Sequence, residues 1–464
     1  MDLDISFNLL HIEHKNNSYP TLRERKAILL ALKKGLQNEA TALADAVSSD
    51  FTHRSQTETL FLEIFPTIQA INYCLHRIKY WMKKRRRKVS WLLFPAKAYL
   101  MPQPLGVVGI IVPWNYPVYL ALVPALYALA AGNRVMIKIS ELTPTVGLIL
   151  ESMIKSLSLS DYIVVVNGGL EVSREFSSLP FGHLIFTGSP KVGKEVMKTA
   201  SERLTPVTLE LGGKSPAILS QTMRSNYFNR LFMGKFFNAG QTCIAPDYLF
   251  IPSGWENRVE EQLKTFVQQH YPRLIDNENY TSIINESHTL RLLDLVEDAR
   301  SKGARVVEFG SPSEDKRKLP MYLLFDVHPS MRVMSEEIFG PILPVLTYSA
   351  ITEVIDAINK APNPLAIYYF GHDKKEMQQI QKRTLSGALT FNDTLMQVAV
   401  DDLPFGGVGN SGMGHYHGQE GFDTCSKLKA IMVQKRMSPI SWLYPPYGAL
   451  MRLFLSLVGG IKLK

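Results

Sequence analysis

The sequence predicts an α/β protein built on two mostly parallel sheets. From Gly106 onward, short apolar runs alternate with helical stretches, as in "GVVGIIVPW", "PVYLALVPALYALAAGN", "RVMIKIS" and "TPTVGLILESMIKSL". Parallel strands need long crossovers, so this alternation is the pattern of a parallel sheet covered by helices. It also comes in two long stretches, 106–209 and about 210–410, each of domain length. With 464 residues, 46% of them apolar and 20% charged, the chain has material for two cores.

The elements follow in order. Leu22, Ala27, Leu29, Leu30, Leu32 and Leu36 recur among Arg and Lys, which predicts helix over 21–48. A second helical stretch covers about 58–82. The run "KKRRRK" (83–88) has no aromatic residues interleaved and reads as a solvated turn rather than a nucleic-acid patch. "GVVGIIVPW" is a buried strand stopped by proline, and the alanine-rich run after it is a buried helix ending at Gly132. "RVMIKIS" is the next strand. Thr143 and Pro144 suit the N-cap and first position of the following helix. "YIVVVNGG" runs from strand into a glycine turn, and "HLIFTGSPKVGKEVMKTASERL" reads as strand, turn, helix. Near the C-terminus Leu450, Met451, Phe454, Leu457 and Val458 fall at helical spacing. They predict an amphipathic helix that docks on protein or, alternatively, on a membrane surface.

Composition narrows the function classes. A net charge of +9 favours anionic ligands but is too small to imply nucleic acid. No apolar run reaches the roughly 18 residues of a spanning helix. The start, "MDLDISFNLLHIEHKNNSYP", lacks a signal-peptide core, so a cytoplasmic protein is expected. Cys74, Cys243 and Cys425 are too few and too far apart for a disulfide framework or a metal site. His415 and His417 have no third ligand in sight, so no metal is expected.

Two places could meet a dinucleotide. G-x-G-x-x-G occurs at Gly407, Gly409 and Gly412, but "DDLPF" precedes it instead of a strand, so it reads as a flexible loop. "FTGSPKVGK" is better placed, because Gly188, Ser189 and Gly193 lie where a strand opens into a helix. A helix N-terminus offers free N–H groups to a phosphate. Lys138 adds a cation at the end of a strand, and Glu141 adds a carboxylate suited to ribose hydroxyls. Cys243, in "GKFFNAGQTCIAPD", is either core filling or a nucleophile. As a nucleophile it needs polar neighbours or a helix N-terminus to lower its pKa.

Company decides between those readings. "VPWNYP" (112–117), "FTGS" (186–189), "LELGGK" (209–214), "GQTC" (240–243), "EEIFGP" (336–341) and "PFGG" (404–407) occur in this order and at these separations. Through them the chain resembles the aldehyde dehydrogenase superfamily from about residue 20 to at least 430. "SSDFTHRS", "LLFPAKAY", "NAGQTCIAPDY" and "FGGVGNSGMGHYHGQEGFDT" resemble its class 3 branch, which includes fatty and coniferyl aldehyde dehydrogenases. The resemblance implies a Rossmann-like NAD-binding domain (1–84 and 106–209) and an α/β catalytic domain (210–411). It also implies a small β oligomerisation segment (85–105 and 412–435) and a tail (436–464). It implies a homodimer and the oxidation of hydrophobic aldehydes, aromatic or medium-to-long chain, with NAD or alternatively NADP.

Residue roles carry over in the same way. Cys243 would attack the aldehyde, Asn115 would steady the oxyanion, and Glu210 would activate the water that releases the acid. Lys138, Glu141, Gly188, Ser189, Gly193, Trp114, Glu337 and Phe339 would hold the cofactor. "KISE" replaces the usual "KPSE", and Pro190 stands inside the phosphate turn. The alternatives are a CoA-acylating enzyme or acyltransferase, against which Glu210 argues, and a non-catalytic protein that retains the fold.

Overall fold

The structure, a computed structural model, describes residues 2–311, 317–436 and 444–461. Its sixteen strands form three sheets. The first sheet uses β3 (Val107–Ile111), β4 (Arg134–Lys138), β5 (Ile163–Val166), β6 (His183–Gly188), β7 (Val207–Leu211) and β15 (Gly412–Met413). Its order is β15-β7-β6-β3-β4-β5, parallel except for β15. The second sheet uses β8 (Pro216–Leu219), β9 (Tyr248–Pro252), β10 (Arg305–Phe309), β11 (Met321–Phe325), β12 (Ile342–Tyr348), β13 (Ala366–Phe370) and β14 (Ala388–Phe391). Its order is β10-β11-β12-β9-β8-β13-β14, with only β10 antiparallel. β1 (Arg85–Arg87), β2 (Lys97–Pro104) and β16 (Ser426–Val433) make a small antiparallel sheet. The first sheet continues through Leu211, two residues beyond the boundary expected at 209.

The strands of the first sheet are buried along their length because helices cover both faces. β3 and β4 are buried at every residue. The helix Pro117–Ala131 is buried at all fifteen positions, which explains its lack of a polar face. It ends at Gly132, whose φ of 97° is a left-handed C-terminal position that glycine adopts without strain.

Several local expectations are corrected. The helix expected over 21–48 is two, Leu22–Asn38 and Ala40–Asp50, and the first opens with a Thr21–Glu24 capping box. The stretch expected at 58–82 starts at Gln56 and carries a π-helical turn, Leu60–Ile64, before the helix Phe65–Trp81. The basic run is strand β1, not a turn, because Arg85 pairs with Asp423 and its backbone pairs with β2. Thr143 makes no side-chain cap. Asp50 instead accepts from Thr145 N–H at 3.2 Å and Val146 N–H at 3.1 Å. A carboxylate at a helix N-terminus does the same work whichever segment supplies it. Near the C-terminus, the helix Ala449–Leu457 is present with none of its residues buried.

Trp81 fastens the helical layer over the first sheet. It is fully buried, with Tyr73, Tyr127 and Phe422 rings 5.8, 6.1 and 5.7 Å away. Trp81→Ala is expected to cost about 3–5 kcal/mol, read from the first transition in denaturant unfolding. A loss under about 1 kcal/mol would show that this contact does not hold the layer.

Candidate active site

The chain runs outward from β3 to β4 to β5, then crosses back to place β6 on the other side of β3. Loops after neighbouring strands diverge at such a reversal and leave a crevice at the carboxyl ends. Trp114 and Asn115 follow β3, and Gly188 and Ser189 sit at the end of β6. All four line one cavity of about 240 Å3, together with Glu210, Gly212, Cys243, Glu337 and Phe339. The structure therefore gathers the three catalytic candidates and five of the eight cofactor candidates in one place. Lys138, Glu141 and Gly193 do not line it. Lys138 is buried and donates to Ile139 O at 2.6 Å, with Glu141 close enough to favour its charge. Gly193 lies behind the turn, where a Cβ would stand 2.6 Å from the Leu211 side chain. Its role is to let the helix Pro190–Ser201 approach β7. Ser189 caps that helix by accepting from Val192 N–H at 3.3 Å, and Pro190 takes its first position.

Cys243 sits in a turn between the helix Tyr227–Phe236 and β9, not at a helix N-terminus. The approach to it is left-handed: φ is 54° at Asn238, 51° at Ala239 and 77° at Gly240. At Gly240 a Cβ would be 2.3 Å from Gly340 O, so no other residue fits. Non-glycine residues hold such angles only where surroundings over-determine them. Here they do. Asn238 N–H donates to Glu58 at 3.0 Å, and its side chain donates to Asn115 O at 3.0 Å and Gln241 O at 3.2 Å. The Gln241 side chain donates to Asn238 O and Ser282 O and accepts from Ile284 N–H.

Beneath the loop lies a buried ion cluster. Arg54 reaches Glu63 at 2.8 Å, Glu58 at 3.3 Å and Asn115 O at 3.2 Å. Glu63 also accepts from Val118 N–H at 2.8 Å and Tyr119 N–H at 3.2 Å, which caps the helix that follows Asn115. Burial works against the Arg54 charge, and Glu63 and Glu58 more than restore it. One cluster thus holds both the Asn115 loop and the Cys243 loop. Asn115 donates one amide hydrogen to Gln241 O at 3.1 Å. Its second is free to face the cavity.

The thiol environment differs from the expectation. Burial pushes Cys243 up to about 12, and Glu337 and Glu210 add to this. The N–H groups of Cys243 and Ile244 pull the other way. Burial, then Asp247, pushes Glu337 up to about 8. Burial also raises Glu210 well above the carboxylate range, against a weaker pull from the Gly407 N–H, and no side chain among the described residues bonds its oxygens. Glu337 is held from behind: Asp247, paired with Lys214, accepts from Ile338 N–H at 2.9 Å, and Arg291 donates to Glu337 O at 3.2 Å. Phe339, at a φ of 54°, stands edge-on to Trp114 at 5.3 Å.

Sequence reasoning missed Arg54, Glu58, Glu63, Gln241, His288 and Arg291. The last two line the cavity. A buried charge looks like a surface charge in sequence. The one usable signal was "SSDFTHRS", whose arginine is now seen to be fully buried. The G-x-G-x-x-G loop is also explained. Gly412 pairs with Glu210, where a Cβ would meet Leu209 O at 2.2 Å, and a Cβ at Gly407 would meet Ser411 O at 2.0 Å, so these glycines fold the loop on itself and against strand β7.

The aldehyde dehydrogenase family profile matches residues 14–431. A protein of Pseudomonas aeruginosa named probable coniferyl aldehyde dehydrogenase is 50% identical over 433 residues, 92% of this chain and 90% of its own. The 4,4'-diaponeurosporen-aldehyde dehydrogenase of Staphylococcus aureus is 38% identical, over 91% of this chain and 92% of its own. Aldehyde dehydrogenase family 3 member A2 of Pongo abelii is also 38% identical, over 92% and 87%. Among solved structures, the substrate-bound state of Staphylococcus aureus AldH matches with a TM-score of 0.93 at 35% identity, covering 99% of this chain and all of that one.

In the unliganded protein, Cys243 alkylation by iodoacetamide is expected to keep accelerating past about pH 9, beyond the range of a free thiol. Glu337→Gln removes the larger neighbouring charge, so it should speed alkylation above pH 8, where Glu337 ionises. A plateau below about pH 9, or identical rates in the variant, would contradict these electrostatics.

Proposed function

The chain belongs to the aldehyde dehydrogenase family, in its class 3 branch, and from that premise we propose how its own residues act. The protein is an NAD(P)-dependent enzyme that oxidises a hydrophobic aldehyde, aromatic or fatty, to the carboxylic acid. The observation that carries the residue roles is the single cavity where Cys243, Asn115 and Glu210 meet Gly188, Ser189 and Glu337.

The cofactor candidates fit a dinucleotide. Gly188 and Ser189 present a helix N-terminus to the cavity, and Gly212 lets backbone pass where a Cβ would strike the Glu337 carboxylate at 1.9 Å. These residues would hold the phosphates, and Glu337 and Phe339 would hold the nicotinamide ribose and ring. Lys138 and exposed Glu141 would meet the adenosine ribose. A carboxylate at Glu141 accepts from a free 2′-hydroxyl and repels a 2′-phosphate, which favours NAD over NADP.

Cys243 passes its proton to water in the cavity and its sulfur bonds to the aldehyde carbon, giving a thiohemiacetal oxyanion. The oxyanion that forms is met by the free Asn115 amide hydrogen and the Cys243 N–H. When bound, NAD(P) supplies the hydride acceptor that makes this adduct a thioester. Glu210, bonded by no side chain among the described residues, takes a proton from water. The hydroxide adds to the thioester carbon, the C–S bond breaks, and the leaving sulfur takes up the proton that Glu210 releases as the acid departs. A raised carboxyl pKa strengthens Glu210 as a base once it is ionised. The same residue favours hydrolysis over transfer to CoA.

The assembly proposed is a homodimer. β16 is an open edge of the small sheet, and Trp91, 6.4 Å from the Phe454 ring, is exposed along with Leu450, Leu453 and Leu457 of the C-terminal helix, edge and apolar surface that a partner subunit would cover. Contact of this surface with a membrane is the second reading. No helix among the described residues is long and apolar enough to cross one.

Cys243→Ala is expected to abolish turnover while NAD still binds. Glu210→Gln is expected to slow steady-state turnover at least about a hundredfold and accumulate acyl-enzyme on Cys243. Intact-mass spectra under turnover check this. Retained turnover in the first variant, or no adduct in the second, would contradict the assignments.

A further inference from the structure

Beyond Cys243 lies a second cavity of about 210 Å3, which shares Leu120, Cys243 and Phe405 with the first. Its walls are apolar, with Phe61, Phe65, Tyr116, Tyr119 and Val398 among them. Phe61, Phe65 and Met396 are exposed, so the cavity opens to solvent beside them. The π-helical turn Leu60–Ile64 turns Phe61 toward this cavity while Glu63 faces the ion cluster.

One carboxylate interrupts the wall. Asp401 is half-buried in the loop after Met396–Ala399, and it lines this cavity but not the other. Among the described residues it has no hydrogen bond or ion pair. Two hydroxyls of the same cavity wall are engaged elsewhere: Tyr116 with Thr242 at 2.6 Å and Tyr119 with His417 at 3.3 Å. Its neighbour Asp402 shows the missing arrangement, since it accepts the phenolic hydroxyl of Tyr73. Burial pushes Asp401 only up to about 6, so at neutral pH it remains an acceptor. The cavity leaves this half-buried carboxylate only water to accept from, and a bound ring that displaces the water without bringing a donor would leave the carboxylate unpaired at a cost.

We propose that Asp401 is a specificity-determining residue that accepts a hydrogen bond from a ring hydroxyl of an aryl aldehyde whose carbonyl lies at Cys243. This rests on the reading of Cys243 as the nucleophile. A neutral hydroxyl suits the site better than an ammonium group, which would bring a second charge into an apolar wall. An unsubstituted ring or an alkyl chain leaves Asp401 unpaired. A site that hydrogen-bonds a substrate hydroxyl discriminates strongly against the analogue lacking it.

The test compares kcat/KM for 4-hydroxycinnamaldehyde, cinnamaldehyde and 4-aminobutanal, with saturating NAD, in wild type, Asp401→Ala and Asp401→Asn. The ratio of hydroxylated to unsubstituted substrate cancels any loss of folded enzyme. Asp401→Ala is expected to lower that ratio at least about tenfold, the factor of one hydrogen bond to a charged group. Asp401→Asn, whose amide oxygen still accepts, should recover part of it. An unchanged ratio while Cys243→Ala is inactive would overturn the role of Asp401 alone. A selective loss for 4-aminobutanal would replace the hydroxyl by a cation and overturn it too. Turnover persisting in Cys243→Ala would instead remove the reading beneath it.

Discussion

The buried ion cluster of Arg54 with Glu58 and Glu63 is the constraint on which the rest of the site depends. Each of its groups is tied to a different segment. Arg54 holds the carbonyl of Asn115, Glu63 caps the helix that begins two residues later, and Glu58 holds the N–H of Asn238. The two loops bearing Asn115 and Cys243 come from different sheets, and nothing in either sheet alone would set their relative position. Buried charges are expensive, and a cluster of this kind is a poor way to gain stability. It is a good way to define one geometry, because each carboxylate must find all its partners to be tolerated.

The same desolvation shapes the chemistry. Cys243, Glu210 and Glu337 all have their proton affinities raised, so the unliganded site resists carrying three neighbouring negative charges. Like charges in a dry cavity cannot all ionise together. The two cavities meet at Cys243, one bounded by Gly188 and Gly212, the other lined by Phe61, Phe65, Tyr116 and Tyr119.

Much of this was legible in the sequence. The βα alternation marked the parallel sheets, and glycine and proline positions marked their ends. The motif set brought Asn115, Glu210 and Cys243 together, because each lies in a short stretch whose spacing is distinctive. What escaped was long-range. Asp50 caps a helix that starts at Pro144, and Arg54 serves a loop at Asn115. No local pattern separates such residues from solvated charges. Gly193 matched a phosphate turn by spacing, and spacing did not show that the position also brings its helix close to Leu211. Polar neighbours or nearby helix N-termini were the help expected for Cys243, and the sequence did not show that two carboxylates, Glu337 and Glu210, would stand close enough to oppose its ionisation.

Arg54→Lys tests the central claim most directly, because it keeps the charge and loses the fork that reaches Glu58, Glu63 and Asn115 together. The measurement is the single-turnover rate of NADH formation, taken alongside the dissociation constant for NAD. The account predicts that this rate falls about a hundredfold, the scale of a reacting group misplaced by an ångström, with NAD affinity unchanged. A variant that forms NADH at the wild-type rate while only its unfolding temperature drops would contradict it, and would leave the cluster as a stabilising feature with no part in positioning the site.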